Sequence, residues 1–377
     1  MANYSALFGG LEAYMDETNV DVSVNTDAAE QAEEVESTAA EATEVESAAA
    51  EATEEDQAAQ AVFRRFDEIA NMLHVAKTQG VNSTFLALTN ANGELSRGLR
   101  ITLPSCESFD AVGSTNSAES RAIIAGLEGV LSDIWEWIKK ICQKVIDFVK
   151  RMFSAVLTRC SSLESNIERL KKAIVTKKLR TGDDLRDRKC TWVKDMKDIE
   201  KNLGKAKQAS DSATQAFKDL QAAETEASKD TAKERDQKNV EKATEKLKDA
   251  NKKYDDALND IKIETEEKEC IKLPVGEVEN ALNDLAKKVI DLRKQENDVK
   301  TCTKQAEFLQ EQAKRYGQMN VDNDQKVSNI EVNAKRQEAA ALSKSSSLLS
   351  KYLAVQVKLY TTGVRCIASY IANAMKD

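Results

Sequence analysis

Proline, histidine and aromatic residues are nearly missing from this chain of 377 residues, and each shortage removes a class of structure or chemistry. Pro104 and Pro274 are the two prolines, and the long proline-free stretch between them is rich in Ala, Lys, Glu, Asp, Leu and Gln, the strong helix formers. Aromatics at 5% against 32% charged residues argue against one large globular core and for long helices with narrow apolar seams. His74 is the one histidine, and its place in an amphipathic stretch reads as a half-buried packing group rather than a catalyst. With no HExxH, no glycine-rich phosphate loop and no nucleophile elbow, no enzymatic activity, cofactor or metal is expected. The seven cysteines are odd in number and show neither CxxC nor a zinc-like grouping, so a reducing compartment is the simplest reading. The first residues, MANYSALFGGLEAYMDE, lack a basic region followed by an apolar run, which excludes a secretory signal.

Charge is plentiful but unevenly placed. Residues 1–60 hold 16 Asp and Glu and no Lys or Arg, whereas residues 120–377 hold 50 basic and 42 acidic residues. An acidic segment joined to a basic body is an interaction pattern in which the first can mask the second. Within the acidic segment ESTAAEATEV is echoed by ESAAAEATEE, a low-complexity repeat that predicts a disordered or nascently helical spacer. Before it, Tyr4, Leu7, Phe8, Leu11 and Tyr14 describe one helical face, the pattern of a docking peptide. Residues 58–80 predict an amphipathic helix stopped by Gly80, and Asn92-Gly93 suggests a turn in a small mixed module around 80–115.

Two apolar stretches stand out in the body. Over 123–157 a broad stripe includes Ile134, Trp135, Ile138, Ile141, Val145, Phe148 and Phe153, with Trp137 and several lysines beside it. Charges recur too often for a transmembrane span, which leaves a bundle core, a membrane-surface helix or a partner-binding face. The second stretch is an apolar helix over about 347–374, placed to close against the first. Between them a very polar helical region runs to about Cys270, and after Pro274 the residues Val278, Leu282, Leu285, Val289, Leu292 and Val299 alternate in steps of four and three or multiples of them. The predicted class is all-α: an elongated helical bundle with a long antiparallel coiled-coil hairpin over about 184–315. The chain thus divides into an acidic propeptide-like segment (1–60), a small helical or mixed module (61–119) and a helical body (120–377).

The apolar first peptide, the acidic Ala/Glu segment with its small-x-Glu strings, TFLALTNANGEL…LPSCESFDAVG and the WEWIKKICQKVIDFVKRMF helix together resemble internal head proteins of large tailed bacteriophages. That resemblance implies a non-enzymatic structural protein, made in the host cytoplasm as a precursor and located in the virion interior. Its implied partners are prohead core proteins and a maturation protease that cuts after glutamate. Ser117-Ala118-Glu119 before Ser120 is the best-matching site, with Glu36, Glu41, Glu46 and Glu51 as further candidates. Sequence-independent DNA contact through lysines is expected of the body, and the alternative readings are an α-helical membrane-active, pore-forming-like protein acting through 123–157 or a cytoplasmic coiled-coil scaffold.

Overall fold

The computed structural model describes residues 43–80, 118–176, 189–227, 234–270, 273, 275–322 and 329–375. Eight helices and one two-stranded ribbon make up the described residues: α1 (Thr43–Gln79), α2 (Ala118–Ser132), α3 (Ile134–Thr176), β1 (Lys189–Val193), α4 (Met196–Ala227), α5 (Glu234–Asn259), β2 (Thr265–Glu269), α6 (Val275–Arg293), α7 (Glu296–Asp322) and α8 (Asn329–Met375). The class is all-α. The expectations for residues 1–42, including the apolar peptide, and for the mixed module around 80–115 fall outside the described residues.

α3 and α8 are the frame. At 43 and 47 residues they extend about 65 and 70 Å at 1.5 Å per residue. The apolar stripe over 123–157 spans two helices, α2 and α3: Asp133 separates them, its carbonyl accepting the Trp137 amide at 3.1 Å, as the residue before a helix does. The helix expected over about 347–374 is instead the end of the longer α8, because Ser343 to Ser350 continue the turn, with Ser346 and Ser350 hydroxyls donating to carbonyls one turn back.

The long antiparallel hairpin is present, but its arms are not those the seam suggested. α4 pairs with α5, as Lys246 to Asp219 at 2.5 Å illustrates, and the hairpin continues into the antiparallel ribbon β1–β2, with Lys189 opposite Glu269. Asp195, at φ 52°, makes the turn from β1 into α4, and Asp is one of the few residues that adopts this backbone readily. The α6–α7 seam instead packs on α3 and α8. Val278, Leu282, Leu285, Val289, Leu292 and Val299 are all buried. Beyond the turn at Lys294–Gln295 the seam continues past Val299 through the buried Cys302, Ala306, Leu309 and Ala313. A polar hairpin needs an apolar surface to lean on, and α8 supplies it: Leu348 and Tyr352 cluster with Ala206, Tyr254 and Leu258.

Narrow seams do not stay separate. Buried residues of α1 and of α3 to α8 join in one continuous core along the bundle, contrary to the expectation drawn from the few aromatics. Alanine and cysteine fill much of it, which lets helices approach closely without large side chains.

Two of the scattered cysteines also meet. The antiparallel ribbon brings Cys190 and Cys270 to a Cα separation of 5.2 Å, and they form a disulfide across 80 residues of sequence. This corrects the reduced reading, since no local spacing motif marks a pair that only strand pairing assembles. The clasp is seated on the end of α8, where Trp192 and Tyr370 rings lie 6.0 Å apart and the Tyr370 hydroxyl accepts the Leu273 amide at 2.9 Å.

Candidate interaction surface

α1 runs across the expected division at residue 60. Val45, Ala49, Ala52, Asp56, Ala59, Phe63 and Phe66 alternate in steps of four and three and are buried. The second copy of the acidic repeat, over 46–55, is therefore part of the folded bundle. Alanine marks its seam instead of leucine, so composition alone does not set it apart from a spacer. Gly80, at φ 78°, terminates the helix in the left-handed backbone that glycine adopts without penalty.

The first half of α1 lies in the groove between α3 and α8 and is held there by opposite charges. Glu55 meets Lys144 at 2.6 Å, Glu51 meets Arg151 at 2.9 Å and Glu46 meets Lys358 at 2.8 Å. As α1 advances from Glu51 to Glu55, α3 retreats from Arg151 to Lys144, so the two run antiparallel. Gln60 adds a bond to the Ala340 carbonyl of α8 at 3.0 Å. Asp56 faces the same seam: burial raises its carboxyl above the ordinary range, with Gln60, Ser343 and the lysines Lys344 and Lys351 opposing that rise. The second half of α1 packs Ile69, Met72, Leu73 and Ala76 against Ile123 and Leu127 of α2, and Lys77 pairs with Glu128. His74 sits on the exposed side of this segment, not half buried.

Of the apolar stripe, Ile134, Trp135, Ile138, Ile141, Val145, Phe148 and Phe153 are buried in the bundle core. Trp137 alone among the named residues is exposed, at 41%, with the Lys140 ammonium 5.2 Å from its ring centroid. Ala118, Glu119 and Ser120 form the first turn of α2 rather than a loop ahead of it, while Ser117 lies outside the described residues. A first helical turn lacks part of its hydrogen bonding, so fraying it for a protease costs little.

A second polar feature is sealed inside. Lys335 on α8 bonds Glu338 at 2.7 Å and Glu224 of α4 at 2.9 Å, and Gln221 donates to Glu338 at 2.8 Å. Two carboxylates around one ammonium leave a surplus negative charge in a dry site. Burial first, and Glu338 second, raise Glu224 from 4.5 to about 8. Burial works against the Lys335 ammonium but is outweighed by the two carboxylates, so Lys335 is raised too and stays charged. Because the folded value of Glu224 exceeds its unfolded one, its contribution is complete below about pH 4.5 and is lost as pH rises through about 8. Urea unfolding across pH 5 to 9 is expected to show this decline in the natural chain and a flatter profile in Glu224→Gln, with a difference of a few kcal/mol. Parallel profiles would remove the assignment.

Burial also pushes the thiols of Cys142, Cys160 and Cys302 up to about 12, which makes them poor nucleophiles. Among the described residues no cluster of three or more His, Cys, Asp or Glu is arranged to hold a metal ion. No helix among them is long and apolar enough to cross a membrane. Comparison of the chain with protein-family models, curated proteins and solved structures returns no match.

Proposed function

We propose that this chain is an internal structural protein of a tailed-bacteriophage head, non-enzymatic, made as a precursor, targeted to the prohead through core proteins and processed there by a maturation protease. The observation that carries the reading is the small-x-Glu sequence Ser117-Ala118-Glu119, of which Ala118 and Glu119 open α2. A cut there severs the acidic chain from a helical body with a core and a disulfide of its own. Because α1 is docked by Phe63 and Phe66 as well as by charge, the cut by itself makes α1 dissociable rather than removing it, converting a tethered contact into one that dilution can break. The Cys190–Cys270 pair suits a particle that leaves the reducing cytosol. Intact-mass and N-terminal peptide analysis of protein from purified particles is expected to find a mature chain beginning at Ser120. A start inside residues 36–55 would move the site and keep the reading, whereas a mature chain that retains residues 1–60 would end it.

The alternative, a membrane-active helical protein, has Trp137 in its favour, but the apolar side of α3 is already spent inside the bundle. Liposome flotation of the full chain separates the two: the head-protein reading expects no leakage.

A further inference from the structure

We propose that Lys144 and Arg151 of α3 and Lys358 of α8 form a binding surface for the phosphate backbone of duplex DNA, which Glu46, Glu51 and Glu55 of α1 occupy as carboxylate stand-ins for phosphates. The three pairs follow one stretch of α1, and both members of each remain 42 to 62% exposed, so the basic groups sit at the surface rather than in the core. Lys144 and Arg151 are two helical turns apart, about 10 Å along α3, which spreads the charge as an extended backbone requires. Exposed ion pairs of this kind contribute little each and weaken with salt.

The apolar hold on the same part of α1 is also slight. Between Val45 and Ala59 the seam buries one valine, three alanines and the carboxyl of Asp56, a group that gains nothing from burial. The firm anchor begins only at Phe63. The first half of α1 is thus a segment of low local stability over a basic groove, and a polyanion competes with it for the same three cations. A bilayer surface is the less suitable occupant: α3 offers it only Trp137, because its other large apolar residues named above are covered. The inference rests on the ion pairs and not on the virion reading, so either can fail alone.

Fluorescence anisotropy of the full chain with short duplexes of two unrelated sequences, titrated with salt, tests it. Glu46→Gln, Glu51→Gln and Glu55→Gln together are expected to tighten binding to both duplexes by about tenfold at low salt and to steepen the salt dependence by about three counterions. The same number of charges removed at the exposed Glu241, Glu245 and Glu279, also to Gln, is expected to change affinity less than about threefold, since a general loss of negative charge acts without geometry. Adding Lys144→Gln, Arg151→Gln and Lys358→Gln to the first variant is expected to return affinity to the natural level. Far-UV circular dichroism verifies that all variants keep their helices. No gain, equal gains in the two Glu→Gln variants, a gain that survives loss of the three cations, or capture by anionic phosphatidylserine vesicles in preference to DNA would overturn the proposal.

Discussion

Replacing Leu285 and Leu292 together by Asp is expected to abolish cooperative unfolding of the bundle. Both side chains are buried, and the Leu285 methyls come within 3.3 to 3.5 Å of where a Cβ on Gly363 would lie, so α6 rests directly on the backbone of α8. Truncating one buried leucine costs about 2–5 kcal/mol, and an unpaired carboxylate in its place costs more. Two such sites reach the stability of a typical domain, about 5–15 kcal/mol. Hydrogen exchange is expected to show protection lost in α3, α6 and α8, with the β1–α4–α5–β2 arm losing it last. This distribution distinguishes the observed packing from a hairpin between the polar helices and the seam, which would melt the arm first. Leu285→Met with Leu292→Met, which keeps volume and polarity, is expected to cost under about 1.5 kcal/mol at each site. A double Asp variant with the natural urea midpoint would refute the packing.

Opening the Cys190–Cys270 clasp is expected to produce the second largest effect. A disulfide that closes a loop of 80 residues restrains the unfolded chain by about 4–5 kcal/mol in the chain-entropy description. Cys190→Ser with Cys270→Ser is accordingly expected to lower the melting temperature by roughly 10 °C, given a few degrees per kcal/mol for a chain of this size. Loss should begin at the ribbon and the end of α8, where the Asn373 amide donates to the Lys189 carbonyl and Tyr370 receives Leu273. A non-reducing peptide map of the natural chain is expected to contain the Cys190–Cys270 cross-linked peptide. Equal melting temperatures for the natural and double-serine chains would show that the ribbon's packing alone fixes this end.

How much of this was legible in the sequence varies with the kind of signal. The seam from Val278 to Val299 and the stripe from Ile134 to Phe153 could be read as buried, because large apolar residues at helical spacing have few other fates. The α1 seam was written in the same steps of four and three, yet alanines and one aspartate carried it, and composition alone placed it with the acidic spacer. A period count indifferent to side-chain size would have found it. The Glu224–Lys335–Glu338 cluster had no local signature, since α4 and α8 meet there across more than a hundred residues.

By itself the sequence determined the helical class, the burial of the leucine-rich faces and the separation of charge between the acidic segment and the basic body. These follow from propensity, period and composition, which are properties of neighbouring residues. The tertiary structure decided which faces meet: α4 with α5, α6 and α7 with α3 and α8, Cys190 with Cys270, and α1 in the basic groove. The physical reason is that apolar burial is non-directional and an amphipathic helix accepts any complementary face, so partners are selected by the packing and charge of the whole assembly, which no local window contains.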